Sequence, residues 1–187
     1  MCFRSSFRCG PVRITLFLQH YHTPDCPTAG RPYALVERLA REHDVTVITT
    51  DAWRSLRMTD YYDWVPHDAR LVELPISYDN AMTPGERLRS FAQYMIQSAG
   101  RALRQSRPDL IIGSSTPLTA ATAAGGVAAL RGVPWIFEVR DLWPDFPIQM
   151  GAIPSLLARR LLYALEHALY RNAAHVVTAS PDMSRHV

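Results

Sequence analysis

Short apolar runs rich in β-branched residues recur along the chain, and a helical pattern follows almost every one of them. Residues 12–18, 45–50, 109–113, 134–139 and 175–179 read as strands, and 70–74 alternates until Pro75 ends it. Residues 32–42, 83–105, 118–130 and 154–171 carry the spacing of helices. Strands that are apolar throughout lose water on both faces, as in a parallel sheet covered by helices. The expected fold class is therefore α/β: a Rossmann-like, doubly wound, mainly parallel sheet with helices on both faces. Residues 1–11 read as a leader and 12–187 as a single domain. Residues 51–68 are aromatic and polar without a period, an irregular excursion.

The helix starts are written locally. Thr83-Pro84-Gly85-Glu86 spells a capping box with proline at the first helical position. Leu88, Phe91, Ala92, Met95, Ala99, Ala102 and Leu103 follow as one apolar stripe, with Arg87, Arg101 and Arg104 off it. Ser180-Pro181 opens a last helix in the same manner, and the sequence stops at Val187; truncation is the expected reading over a short tail.

Composition narrows the classes. With 48% hydrophobic and 20% charged residues the chain is globular. Its net charge is +3, and no lysine occurs. That balance suits contact with anionic lipid or nucleotide and lacks the basic stripe of a nucleic-acid binder. Cys2, Cys9 and Cys26 are odd in number and show no metal spacing. They read as free thiols of a reducing compartment, with no metal site. The run 14–18 is too short to span a membrane, so the expected location is cytoplasmic, with peripheral membrane contact open.

In an open parallel sheet, ligands bind beyond the carboxyl ends of the strands. Loops 20–30, 114–117, 140–153 and 180–182 occupy that edge. The first lacks G-x-G-x-x-G, which argues against a dinucleotide enzyme. Gly30 and Arg31 at its helix entry suit a phosphate, since bare N–H groups and a guanidinium attract anions there. The alternative is a turn glycine with a solvated arginine. Ser114, Ser115 and Thr116 offer hydroxyls to a sugar or phosphate, and the stronger reading makes at least one of them the helix N-cap. In the third loop Glu138, Arg140, Asp141 and Trp143 follow a buried strand. A carboxylate at a cleft mouth can act as general base towards a hydroxyl, and Trp143 can pack on a sugar face. Arg140 is the expected partner of Glu138. The competing reading is a structural ion pair with Trp143 in the core.

The stretches ITLFLQHYHTPD, GRPYALVERLAREHDVTVITT, RPDLIIGSSTPLTA, PWIFEVRDLWPDFPIQMGA and LEHALYRNAAHVVTASPDMSRHV carry a resemblance. The sequence resembles the family 4 glycosyltransferases of the GT-B fold, especially those that build bacterial surface polysaccharides; EVRDLWP is its most specific piece. The resemblance implies two Rossmann-like domains across a cleft, of which this chain is the N-terminal, acceptor-binding one. The C-terminal donor domain, with its glutamate-rich motif, would be the missing partner. Gly30 and Arg31 would approach the donor pyrophosphate; many relatives carry two glycines in that loop, where this chain has Ala29 first. His20, Ser114, Ser115, Thr116, Glu138 and Trp143 would line the acceptor side. Many relatives have histidine where Arg140 stands. Arginine stays protonated and cannot be a base. Asp141 then contacts the acceptor hydroxyl, and Arg140 orients it or binds phosphate.

The implied reaction moves a sugar from a nucleotide sugar, a substrate and not a cofactor, to a saccharide or polyprenyl-linked acceptor at a membrane surface. The chain alone would be inactive. Arginines of helices 83–105 and 154–171, Arg159 and Arg160 among them, could sit against anionic head groups at about 1 kcal/mol each; the competing, stronger reading has the apolar stripe facing the core. The alternative is a non-catalytic acceptor-binding or membrane-docking subunit of a split glycosyltransferase. A sugar-nucleotide epimerase or dehydrogenase is disfavoured, since the glycine fingerprint and any Tyr-x-x-x-Lys pair are absent.

Overall fold

The structure, a computed structural model, describes residues 10–22, 30–52, 69–79 and 81–187. The three cysteines, Ala29, most of the leader and most of the 51–68 excursion lie outside the described residues. The elements are β1 (Arg13–Phe17), α1 (Arg31–Ala40), β2 (Asp44–Thr50), β3 (Ala69–Leu74), α2 (Pro84–Leu103), β4 (Leu110–Ser114), α3 (Leu118–Arg131), β5 (Trp135–Val139), α4 (Asp145–Gln149), α5 (Leu156–Asn172), β6 (His175–Thr178) and α6 (Pro181–His186). The expected strands and helices are present within one or two residues at each end. The short α4 was not anticipated, its five residues being too few for a periodic signal.

The six strands form one sheet in the order β3-β2-β1-β4-β5-β6, and every neighbouring pair is parallel. The order reverses between β1 and β4, so the carboxyl ends of β1, β4 and β5 surround a switch point. Alternation along the strands divides the core. Ile14, Leu16, Leu18, Val45, Val47 and Ile112 pack with Val36 and Ala40 of α1. Phe17, Ile48, Ile111, Trp135, Phe137 and Val139 pack with α2, α3 and α5 on the other face. Each such side chain, fully buried, contributes roughly 2 kcal/mol.

Helix α3 is alanine-rich because it lies close on the sheet: a Cβ built on Gly113 of β4 would stand 2.5 Å from the Ala124 Cβ. At its far end the Arg107 guanidinium donates to the carbonyls of Arg131 and Gly132, at 2.9 and 2.6 Å. Those carbonyls have no partner within the helix.

Helix α2 begins with the expected capping box. Glu86 N donates to Thr83 Oγ1 at 3.4 Å, and Thr83 N to Glu86 Oε2 at 2.7 Å. Its buried side matches the expected stripe only in part: Ala102 is buried and Met95 and Ala99 pack against the core. Ser90, Tyr94, Ser98 and Ala102 are buried, whereas Leu88 is 67% exposed and Leu103 lies on the surface. The cause is Tyr94, whose hydroxyl donates a 2.7 Å hydrogen bond to the Ile48 carbonyl of β2. Small serines on the same side let the helix approach the sheet.

Candidate functional site

Helix α1 opens at Gly30, whose φ of 151° and ψ of −119° suit glycine and strain any other residue. No side chain caps the helix, no acid stands in its first turn, and Pro32 lies at its start. Arg31 is the first helical residue. Its Nε lies 3.4 Å from Glu138 Oε1, and its Nη2 donates to the Thr178 carbonyl at 3.4 Å. The Arg31 side chain is 41% exposed, that of Glu138 only 3%. So Arg31 joins α1 to the ends of β5 and β6. Arg31, not Arg140, is the partner of Glu138. The strand ends at Val139, and the chain turns away before Arg140 can lie alongside.

That turn is held by Ser115. Its Oγ accepts from Arg140 N at 2.9 Å and Asp141 N at 3.2 Å, and donates to the Asp141 carbonyl at 3.1 Å. Thr116 Oγ1 donates to Asp141 Oδ2 at 2.8 Å. The helix-cap expectation for this triplet is therefore overturned. The N-cap of α3 is Pro117, with no side-chain bond, because both hydroxyls are engaged by the neighbouring loop. Ser114 and Ser115 are fully buried, as is Glu138, so these three expected acceptor contacts lie beneath the surface that a ligand would touch. Asp141 is exposed at the rim.

His20, just past β1, is half-buried beside His22 and Arg140. Burial, then the two neighbouring basic groups, lower its pKa from 6.5 to about 4. His22 is lowered by burial and by Arg140. His20 is therefore a neutral imidazole at physiological pH, held against protonation by its surroundings. Its ring packs on Tyr78 with centroids 4.6 Å apart; Tyr78 stacks on Phe91 at 5.7 Å, and Phe91 meets the edge of Trp143 at 6.2 Å. Four half-buried rings from four separate segments thus form one wall beside Arg140 and Asp141. The fourth expected loop caps α6, Ser180 Oγ accepting from Met183 N at 3.3 Å.

The glycosyl transferase 4-like domain family matches residues 29–187. The chain belongs to that family. No curated protein matches the sequence. Among solved structures, Arabidopsis thaliana UGT89C1 complexed with UDP superposes with a TM-score of 0.53 at 17% identity, over 90% of this chain and 43% of that one. The same protein complexed with UDP-L-rhamnose gives 0.45 at 16% identity, over 71% and 36%. The chain thus spans less than half the length of this solved protein. The fold is one half of the GT-B arrangement, a Rossmann-like domain with an all-parallel six-stranded sheet.

In this glycosyl transferase 4-like domain, the structure brings Gly30, Arg31, His20, Thr116, Arg140, Asp141 and Trp143 to the carboxyl edge of one sheet. Sequence reasoning missed His22, Tyr78 and Phe91. Phe91 was assigned to the core stripe of α2, and Tyr78 follows an edge strand with no motif around it. Their shared signal is position: each stands just past a strand end or in the first turns of the following helix. Among the described residues no group of three His, Cys, Asp or Glu could hold a metal ion, and no helix is long and apolar enough to cross a membrane.

Proposed function

We propose that this domain is the acceptor-side half of a glycosyltransferase, completed by a second Rossmann-like domain that holds a nucleotide-sugar donor. The observation that carries the reading is Asp141, an exposed carboxylate fixed by Thr116 at the switch-point rim and two residues before Trp143 of the aromatic wall. In the proposed step the acceptor hydroxyl gives its proton to Asp141. Its oxygen bonds to the anomeric carbon as the bond from that carbon to the phosphate oxygen breaks. Nucleoside diphosphate leaves, and Arg31 with the uncapped start of α1 balances its charge. No cofactor takes part. That UGT89C1 was solved with UDP supports a uridine nucleotide as the first donor to try.

The acceptor is a saccharide carried on a lipid, and the domain works at the cytoplasmic face of a membrane. Two features support this. The aromatic wall suits the apolar faces of a sugar. On α2, Leu88 and Ile96 are 67% and 68% exposed with exposed Arg89 on the same side, and Arg101 and Arg104 are exposed at its carboxyl end. Such a mixture suits an anionic lipid surface.

The test is a transfer assay with a panel of labelled nucleotide sugars and lipid-linked acceptors. The 187-residue chain alone is expected to be inactive, and the chain joined to its donor domain active. Robust turnover by the isolated chain would refute the half-enzyme reading. Co-sedimentation with liposomes that ignores their anionic content would remove the membrane role of α2.

A further inference from the structure

We infer that Glu138 is a positioning residue that presets the Arg31 guanidinium for an anion, and that it does not touch substrate. In the sheet, Glu138 stands opposite Ser114 of β4 and Val177 of β6. Its side chain is 3% exposed, and among the described residues neither carboxylate oxygen has a hydrogen-bond partner. A carboxylate in that place is costly unless a counter-charge stands beside it. Arg31 supplies the charge, with its Nε 3.4 Å away, while its side chain stays 41% exposed. The inner edge of the guanidinium is thus tied to Glu138 and to the Thr178 carbonyl, leaving further N–H groups directed away from them. A free arginine side chain loses much rotamer freedom when it grips an anion. One already anchored loses less, and binds more tightly for that reason.

Coulomb's law alone argues the other way. Removing the negative charge of Glu138 would leave Arg31 more positive in effect, and anion affinity would rise. The two accounts differ in sign, so one experiment separates them. The inference rests on reading Arg31 as the residue that meets the donor phosphates.

The experiment titrates inorganic pyrophosphate into the 187-residue chain and into Glu138→Gln, Arg31→Gln and the double variant. Glu138→Gln is expected to weaken binding by about 5-fold and Arg31→Gln by about 10-fold, with the double variant no weaker than Arg31→Gln, as preorganisation through one side chain requires. Equal or tighter binding by Glu138→Gln overturns the inference, as do losses that multiply. Unchanged binding by Arg31→Gln overturns the phosphate reading itself, and the inference with it. A second measurement needs no variant. The Arg31 Nε–Hε proton should exchange with water more slowly than that of exposed Arg38 and shift on pyrophosphate addition. Exchange as fast as Arg38, or no shift, contradicts the proposal.

Discussion

Thr116 and Asp141, twenty-five residues apart, are joined by a 2.8 Å hydrogen bond from Oγ1 to Oδ2. The bond holds a carboxylate in place at an exposed rim, and the adjacent Ser115 holds the backbone that carries it. The two hydroxyls therefore affect different properties. Ser115→Ala removes three hydrogen bonds around a buried oxygen. It should cost about 2 kcal/mol and lower the Tm by about 5 °C in thermal unfolding. Thr116→Val should leave the Tm within about 2 °C, since the group is partly exposed, yet slow transfer by about 10-fold in the complete enzyme. Equal losses of stability in both variants would contradict the division.

His20 gives the fold a pH dependence with a defined sign. Its pKa is about 4 when folded against 6.5 when unfolded. Between those values the unfolded chain takes up a proton that the folded chain refuses. Stability is therefore full above pH 6.5 and falls as the pH drops towards 4, by up to about 3 kcal/mol in all. His22, shifted the same way, adds to the slope. Urea unfolding at pH 7.5, 6, 5 and 4.5 measures it. His20→Asn should flatten the curve between pH 6.5 and 5, above the range in which carboxylates titrate.

Close approach of α3 to the sheet makes Gly113 intolerant of substitution. In Gly113→Ala the new methyl would lie 2.5 Å from the Ala124 Cβ and 3.2 Å from the Ala121 Cα. Helix and strand must then separate, at about 2–3 kcal/mol. Gly126, with nothing within 4 Å of its added Cβ, is the internal control. Gly126→Ala should be neutral or stabilising by about 0.5–1 kcal/mol through helix propensity.

The aromatic wall predicts a separation of kinetic effects. Phe91→Ala removes the ring between Tyr78 and Trp143. Acceptor KM should rise by about 10-fold while donor KM stays within a factor of about 2, because the proposed acceptor platform is lost and the proposed donor contacts are not. A rise in donor KM alone would place the wall on the other substrate.

The fold was legible because its signals are local. Apolar runs, a capping box at Thr83 and Glu86, and prolines at helix starts lie within a few residues of each other, and the structure follows them. Long-range choices were not. Nothing near Glu138 indicates that its counter-charge is Arg31, 107 residues earlier, because only the parallel order of β1, β4 and β5 brings them together. The buried side of α2 was misread in part, at Leu88 and Leu103, for a similar reason. Hydrophobicity pointed to Leu88 and Leu103, while the packing turned on the Tyr94 hydroxyl finding a carbonyl on β2. Ser115 looked like a cap, since a hydroxyl ahead of a helix ordinarily is one; its bonds to Arg140 and Asp141 depend on the next strand lying alongside.

The most direct measurement is the transfer rate of Asp141→Asn in the complete enzyme, taken beside its melting temperature. The proposed role of Asp141 as general base predicts a kcat lower by about 100-fold or more with the Tm within about 2 °C. A variant that transfers sugar at the wild-type rate and melts at the wild-type temperature would contradict the account.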